Sequence, residues 1–77
     1  MPKVIVYSTP SCVFCKMAKA YFQANNVAFE EKDVSVDIPA QKRMIDISGQ
    51  MGVPVIEVDD KIIIGFDKAK LAQLLKI

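Results

Sequence analysis

Apolar and polar residues follow one another in blocks that predict seven elements of secondary structure. Short runs of β-branched and aromatic residues are typical of strands, whereas apolar residues three or four positions apart indicate helices. The predicted strands span residues 3–8, 27–34, 53–58 and 61–64, and the predicted helices span 13–24, the segment between Asp37 and Gly49, and a segment after Asp67. One face of the first helix should pack on the core through Phe14, Ala18, Tyr21 and Phe22.

The residue types at the predicted helix ends support these boundaries. Asp37 and Asp67 are good N-caps, because an aspartate side chain accepts hydrogen bonds from the free N–H groups of the first turn. The pair Asn25-Asn26 and Gly49 tolerate the left-handed backbone conformation that often ends a helix. Each helix therefore has a residue suited to its start or to its end.

The elements occur in the order β-α-β-α-β-β-α. A strand–helix–strand beginning predicts a right-handed parallel crossover, and a tight turn at Asp59-Asp60 predicts an antiparallel pair near the end of the chain. The sequence therefore predicts an α/β fold, a mixed four-stranded sheet with helices on both faces, in a thioredoxin-like layout. Residues 1–77 form one domain in this interpretation.

Composition and charge narrow the class of protein. A chain of 77 residues with 52% hydrophobic residues and a net charge of +1 fits a small globular domain and gives no electrostatic reason to bind nucleic acid. The apolar run VIVY near the start is too short for a secretory signal, and no stretch approaches the ~20 apolar residues of a membrane span. We expect a cytoplasmic monomer that binds neither nucleic acid nor membranes.

The two cysteines, Cys12 and Cys15, lie in the stretch STPSCVFCK, between the end of the first predicted strand and the start of the first predicted helix. Free N–H groups and the helix dipole at a helix N-terminus favour an anion, so the pKa of Cys12 should fall below the usual ~8.5, with help from Lys16. Cys15 follows one turn later, at a spacing that a disulfide can bridge. The pattern favours a redox pair in which Cys12 attacks and Cys15 resolves.

Two other interpretations of the cysteine pair stay open. A structural zinc site takes four ligands, and the chain has no histidine and no second cysteine pair, so such a site would have to be shared between molecules. A purely structural disulfide would close a loop too small to constrain the unfolded chain much. We expect no metal site.

The motif SCVFC after a strand, with Gly52-Val53-Pro54 at the start of a later strand, resembles the glutaredoxin family, and the resemblance covers essentially the whole chain. In that family the bond before the proline is cis and packs beside the active-site disulfide, and the valine backbone pairs with the bound thiol peptide. The resemblance gives these roles to Pro54 and Val53. Phe14 stands where many members have tyrosine, and it would serve either substrate contact or helix packing.

The resemblance also implies glutathione as a co-substrate, with no bound cofactor. Many members carry a cation three residues before the first cysteine, where this chain has Thr9, and two acids near the last helix, where it has Asp67 and then Lys68. Both departures should weaken glutathione binding, because a hydrogen bond to a charged group contributes roughly 1.5–3 kcal/mol. The implied substrate or glutathione site comprises Thr9, Phe14, Gln41, Val53, Pro54, Gly65, Phe66 and Asp67.

Three functions follow from these observations. The first is a dithiol glutaredoxin that reduces protein or glutathione mixed disulfides through Cys12 and Cys15. The second is a redoxin that thioredoxin reductase reduces and that donates electrons to ribonucleotide reductase or another enzyme, because CVFCKMAK and the Gly-Phe before the last helix also resemble such redoxins. The third is a non-enzymatic thioredoxin-fold binding module, against which the intact Cys12, Cys15 and Pro54 argue.

Overall fold

A computed structural model of the chain describes residues 3–76. Its elements occur in the predicted order. The strands are β1 (Val4–Ser8), β2 (Glu30–Asp33), β3 (Val55–Val58) and β4 (Lys61–Ile64), and the helices are α1 (Val13–Ala24), α2 (Ile38–Ser48) and α3 (Lys68–Leu75).

The four strands form one mixed sheet with the order β2-β1-β3-β4. β1 pairs with β2 in parallel, as a crossover through α1 requires, whereas β3 pairs antiparallel with both β1 and β4. The thioredoxin-like mixed sheet predicted from the sequence is thereby confirmed.

Apolar side chains alternate along the strands and fill a core on each face of the sheet. α1 and α3 cover one face, and its buried residues are Val4, Val6, Ala18, Phe22, Ile56, Val58, Ile63 and Leu71. α2 covers the other face, and the buried residues there are Tyr7, Val34, Ala40, Met44 and Val55. Helices therefore lie on both faces, as predicted.

The predicted helix ends agree with the structure because they depend on local side-chain chemistry. The Asp37 side chain accepts a hydrogen bond from the Ala40 N–H at 3.1 Å, and the Asp67 side chain accepts one from the Lys70 N–H at 3.1 Å. Gly49 ends α2 with a φ of 72°, in the left-handed region that glycine adopts at little cost.

Two predicted strands are shorter than expected. Residues 27–29 lie outside β2, although Val27 and Phe29 still pack against the core on the α1 face. The Val27 N–H donates to the Phe22 carbonyl at 2.8 Å and so continues the end of α1. β3 begins at Val55 rather than at Val53. The strand predictions followed the apolar character of these residues, and loop residues can bury apolar side chains equally well.

The predicted core position of Phe14 is wrong. Its side chain is 59% exposed, whereas Cys15, Ala18 and Phe22 form the buried face of α1. At about 100° per residue Phe14 lies only about 40° around the axis from the buried Ala18. Its exposure therefore comes from its place in the first turn of α1, at the end of the helix, and not from its direction around the axis.

One charged cluster lies in the core on the α2 face. Glu57 is 8% exposed, accepts a hydrogen bond from the Tyr7 hydroxyl at 3.0 Å, and forms an ion pair with Arg43 at 3.1 Å. Both carboxylate oxygens thus have a donor, which a buried charge requires. None of the helices within residues 3–76 has the length and apolar character needed to cross a bilayer.

Candidate active site

Cys12 is the N-cap of α1, and its sulfur faces the free end of the helix. Its backbone is extended, with a φ of −83° and a ψ of 112°, and its Sγ accepts a hydrogen bond from the Cys15 N–H at 3.1 Å. The Cys12 N–H donates to the Thr9 carbonyl at 3.2 Å, which ties the loop after β1 to the helix start. A half-buried sulfur therefore occupies the position where serine or aspartate usually caps a helix.

Cys15 differs sharply from Cys12 in its surroundings. Cys15 is 0% exposed, whereas Cys12 is half-buried. Burial, followed by the hydrogen bond with Cys12, raises the pKa of Cys15 to about 12, because an anion loses solvation inside the protein. Cys15 is therefore a protonated, protected thiol at neutral pH, and Cys12 is the accessible one.

The sheet register places Pro54 at the same end of the sheet as the cysteine motif. Tyr7 pairs with Val55 across β1 and β3. Ser8, which follows Tyr7, and Pro54, which precedes Val55, therefore lie at the same end of the sheet. The Val53–Pro54 peptide bond is cis, the isomer that the resemblance implied, and Pro54 is buried. The Gly65 N–H donates to the Pro54 carbonyl at 2.8 Å. The loops after β1, before β3 and after β4 thus meet at this end of the sheet.

Some of the predicted ligand residues lie at this end of the sheet, where their backbone groups form hydrogen bonds. Thr9 and Gly65 have the backbone hydrogen bonds described above, and Val53 precedes the cis bond, with its side chain packed toward the α2 face. Phe14 follows Cys12 closely on the first turn of α1 and is exposed, so it is accessible to a bound molecule.

Other predicted ligand residues have structural contacts of their own. Phe66 is half-buried and packs edge-on against Tyr21, with ring centroids 5.9 Å apart, and Asp67 caps α3. The Lys68 ammonium lies 5.5 Å from the centre of the Tyr21 ring. Within residues 3–76, no hydrogen bond or ion pair joins the Gln41 side chain to the cysteine motif, so the role of Gln41 stays a prediction.

Lys16 was predicted to help lower the pKa of Cys12 through its charge. Its N–H donates to the Cys12 carbonyl at 3.2 Å, and its side chain is exposed. Lys19 is among the groups that lower the pKa of Cys15. The effect of the Lys16 charge on Cys12 stays a prediction.

Sequence reasoning missed two features of this region. The first is an ion pair between Lys19 and Glu31, with Ser8 bonded to the same carboxylate. The spacing of four residues between Cys15 and Lys19 could have indicated the cation, but its partner depends on the β1–β2 register. The second feature is the exposure of two apolar side chains near the start of α1, Val13 at 66% and Met17 at 46%.

Metal ligation finds no support in the geometry. Residues 3–76 contain no group of three or more histidine, cysteine or acidic side chains placed to hold a metal ion. Cys12 at the N-cap and Cys15 in the first turn of α1 are joined by the hydrogen bond from the Cys15 N–H to the Cys12 Sγ, and that arrangement suits reversible disulfide chemistry.

Residues 4–63 match the family model described as glutaredoxin. The chain belongs to the glutaredoxin family. Proteins of this family carry out thiol–disulfide redox chemistry, and the cysteine pair on α1 and the cis Val53–Pro54 bond lie within the matched residues.

Relatives within the glutaredoxin family cover nearly the same length. The chain is 41% identical over 71 residues to a Clostridium pasteurianum protein named uncharacterized glutaredoxin-like 8.6 kDa protein in rubredoxin operon, a match that covers 92% of this chain and 95% of the relative. It is 34% identical to the glutaredoxin-like protein NrdH of Lactococcus lactis strain IL1403, over 92% of this chain and 97% of the relative. Glutaredoxin 3 of Escherichia coli K12 is 33% identical, over 87% and 81%.

A solved structure supports the fold independently. The crystal structure of a mutant of the thioredoxin-like protein BC3987 superimposes with a TM-score of 0.92 at 38% identity. The superposition covers 100% of this chain and 99% of the other. The two proteins therefore share one fold over essentially their whole length.

Proposed function

We propose that the protein is a dithiol thiol–disulfide oxidoreductase that reduces protein disulfides or glutathione mixed disulfides through Cys12 and Cys15. The observation that carries the proposal is the unequal pair on α1, a half-buried Cys12 sulfur that accepts the Cys15 N–H at 3.1 Å and a fully buried Cys15 thiol. An accessible sulfur can attack a substrate, and a protected neighbour can complete the exchange without competing for that substrate.

The exchange takes place in two steps whose electrons balance. The Cys12 thiolate attacks one sulfur of the substrate disulfide, a Cys12–substrate disulfide forms, and the other substrate sulfur leaves as a thiolate that takes up a proton. Cys15 then loses its proton and attacks Cys12, and the second substrate sulfur leaves as a thiol. The substrate disulfide gains two electrons, and the protein ends with a Cys12–Cys15 disulfide.

Glutathione is the first candidate reductant of that disulfide, and we infer that it binds weakly. Thr9 provides no positive charge for a glutathione carboxylate, and the exposed Lys68 brings a cation to the start of α3, where many family members carry a second acid. The Asp67 carboxylate already accepts the Lys70 N–H, which leaves it less free for the ligand's ammonium group. These features support reduced affinity rather than a lost site.

A second candidate reductant is thioredoxin reductase, with ribonucleotide reductase or another enzyme as the electron acceptor. Val13, Phe14 and Met17 expose apolar side chains beside Cys12, and such a surface suits contact with a protein more than with a small charged peptide. The relative named NrdH is slightly more similar than glutaredoxin 3, at 34% against 33% identity, and that margin favours neither reductant.

A reductant comparison tests the proposal. The oxidised protein is mixed with glutathione plus glutathione reductase, and separately with thioredoxin reductase, and NADPH consumption is followed with a disulfide-containing protein as acceptor. We expect acceptor reduction with at least one system and none from Cys12→Ser. A wild-type protein that both systems fail to couple to any acceptor would favour the non-enzymatic binding module.

A further inference from the structure

Three polar side chains from β1, β2 and α1 form a connected group beside the cysteine motif. The Ser8 hydroxyl donates to Glu31 Oε2 at 2.8 Å, and the Lys19 ammonium forms an ion pair with the same oxygen. Ser8 is 1% exposed, and the Lys19 side chain is 25% exposed. The two-step exchange proposed above assigns no role to this group.

The backbone places the group on the face of the sheet that α1 covers. Val6 packs against α1, and Ser8, two residues later on β1, points to the same face. Glu31 lies opposite Val6 in the parallel β1–β2 register. Lys19 follows Cys15 by four residues on α1, so the two side chains are neighbours on one helix face. Lys19 therefore lies one helical turn after the buried Cys15.

The surroundings of Cys15 shift its pKa in opposite directions. Burial, a hydrogen bond with Cys12 and the charge of Cys12 raise the pKa of Cys15, whereas a hydrogen bond with the Thr9 backbone and, to a smaller extent, the charge of Lys19 lower it. Asp33, two residues after Glu31, acts on Glu31 and so adds negative charge on the same side. Lys16 is the other lysine of α1, and its side chain is exposed.

Formation of the mixed disulfide changes this balance. Cys12 is then bonded to substrate and carries neither a negative charge nor a free thiol, so both of its effects on Cys15 end. Burial then opposes thiolate formation at Cys15, and Lys19 is the nearby side-chain cation that favours it.

We propose that Lys19, held in place by Glu31 and Ser8, is a positioning residue for the second step of the exchange. Its charge stabilises the Cys15 thiolate that attacks the Cys12–substrate disulfide. The proposal rests on the dithiol exchange described under the proposed function and assigns a step of that exchange to a residue outside the cysteine motif.

Single-turnover reaction with dithiobis(nitrobenzoate) separates the two steps. Attack by Cys12 releases one coloured thiolate, and attack by Cys15 on the resulting mixed disulfide releases the second, so an excess of protein gives two phases of equal amplitude. The second phase depends on the fraction of Cys15 that is ionised, and its pH profile reports that ionisation.

Lys19→Met removes the cation and leaves the Glu31 carboxylate uncompensated. We expect the second phase to slow by roughly three- to tenfold at neutral pH. This corresponds to a rise of about half to one unit in the pKa of Cys15, a modest change because the Lys19–Glu31 ion pair is partly exposed. Its pH profile should move to higher pH. Lys19→Arg, which keeps the charge, should restore the second phase.

Glu31→Gln provides the opposite change, because glutamine can still accept the hydrogen bonds from Lys19 and Ser8 but carries no negative charge. We expect a faster second phase and a pH profile moved to lower pH. A role in folding alone would not move the two variants in opposite directions.

Lys32→Met is the matched control. Lys32 is also a lysine in an ion pair, with Glu30 at 2.9 Å, and neighbours Glu31 on β2 but points to the other face of the sheet. It should leave both phases unchanged.

The outcomes separate this inference from the proposed function. A wild-type protein without the first phase, or a Cys12→Ser variant that keeps it, would contradict the dithiol exchange itself. A normal first phase together with an unchanged second phase in Lys19→Met would overturn only the role of Lys19. Shifts of Lys19→Met and Glu31→Gln in the same direction would overturn it as well.

Discussion

The difference between the two cysteines leads to a quantitative prediction about their alkylation. Reduced protein is treated with iodoacetamide at pH 7, and each cysteine is followed by peptide mapping. Burial and the hydrogen bond with Cys12 raise the pKa of Cys15 to about 12, so about 10⁻⁵ of it is thiolate at pH 7, whereas a free thiol of pKa ~8.5 is about 3% ionised.

The two fractions differ by about 3 × 10³. A thiolate of higher pKa is also the stronger nucleophile, with a Brønsted slope of about 0.4–0.5, and over this pKa difference the greater nucleophilicity offsets a factor of roughly 25 to 60. The net expectation is that Cys15 reacts about 10²-fold more slowly than free glutathione under the same conditions, before the steric effect of burial is added. Cys12, which is accessible, should be alkylated first.

The dependence on pH makes the prediction more specific. The rate at Cys15 should rise about tenfold for each pH unit between pH 7 and 9, because the thiolate fraction does so below the pKa. The Cys15→Ser variant is the control, since it should keep one rapidly alkylated cysteine. Comparable rates at the two cysteines at pH 7, or a plateau at Cys15 below pH ~9, would refute the argument from burial.

Three further predictions concern stability and ligand binding. Tyr7→Phe should lower the free energy of unfolding by about 1.5–3 kcal/mol in urea titrations, because the buried Glu57 carboxylate loses a donor; an unchanged midpoint would contradict this. Because the pKa of Cys15 is raised in the folded state, its contribution to stability is present below pH ~8.5 and is lost as the pH rises toward 12. Cys15→Ala should therefore reduce the fall in the free energy of unfolding over this pH range, and the same fall in the variant and the wild type would contradict the raised pKa. Thr9→Lys with Lys68→Asp should tighten glutathione binding by roughly tenfold or more in calorimetry, and unchanged or weaker affinity would show that the ligand uses other contacts.

The features that the sequence predicted well depend on local chemistry. Asp37 and Asp67 cap helices because an aspartate side chain reaches the N–H groups of the next turn whatever the rest of the chain does. The parallel β1–β2 pair and the antiparallel β3–β4 pair could be predicted, because a strand–helix–strand unit makes a parallel crossover and a tight turn joins neighbouring antiparallel strands. The position of Cys12 at the start of α1 followed from the helical spacing of apolar residues, which begins directly after it.

The features that the sequence did not predict depend on contacts between distant residues. The apolar side chains of Val27 and Phe29 pack on the core, as the sequence indicates, but both residues lie outside β2. Their residue types do not determine which backbone groups pair with β1. Phe14 fits the apolar spacing of α1, but its place in the first turn leaves it exposed, and the spacing alone does not show how far the packed part of the helix extends. The ion pair between Lys19 and Glu31 needs the β1–β2 register, which no local pattern gives.

The central claim is that Cys12 attacks the substrate and Cys15 resolves the mixed disulfide. Intact-mass analysis with peptide mapping tests it most directly, after oxidised glutathione is added to reduced wild-type protein, Cys12→Ser and Cys15→Ser. The account predicts a Cys12–Cys15 disulfide in the wild type, a glutathione adduct on Cys12 in Cys15→Ser, and no rapid adduct in Cys12→Ser. A rapid adduct on Cys15 in Cys12→Ser, at a rate like that of Cys12 in the other variant, would contradict it.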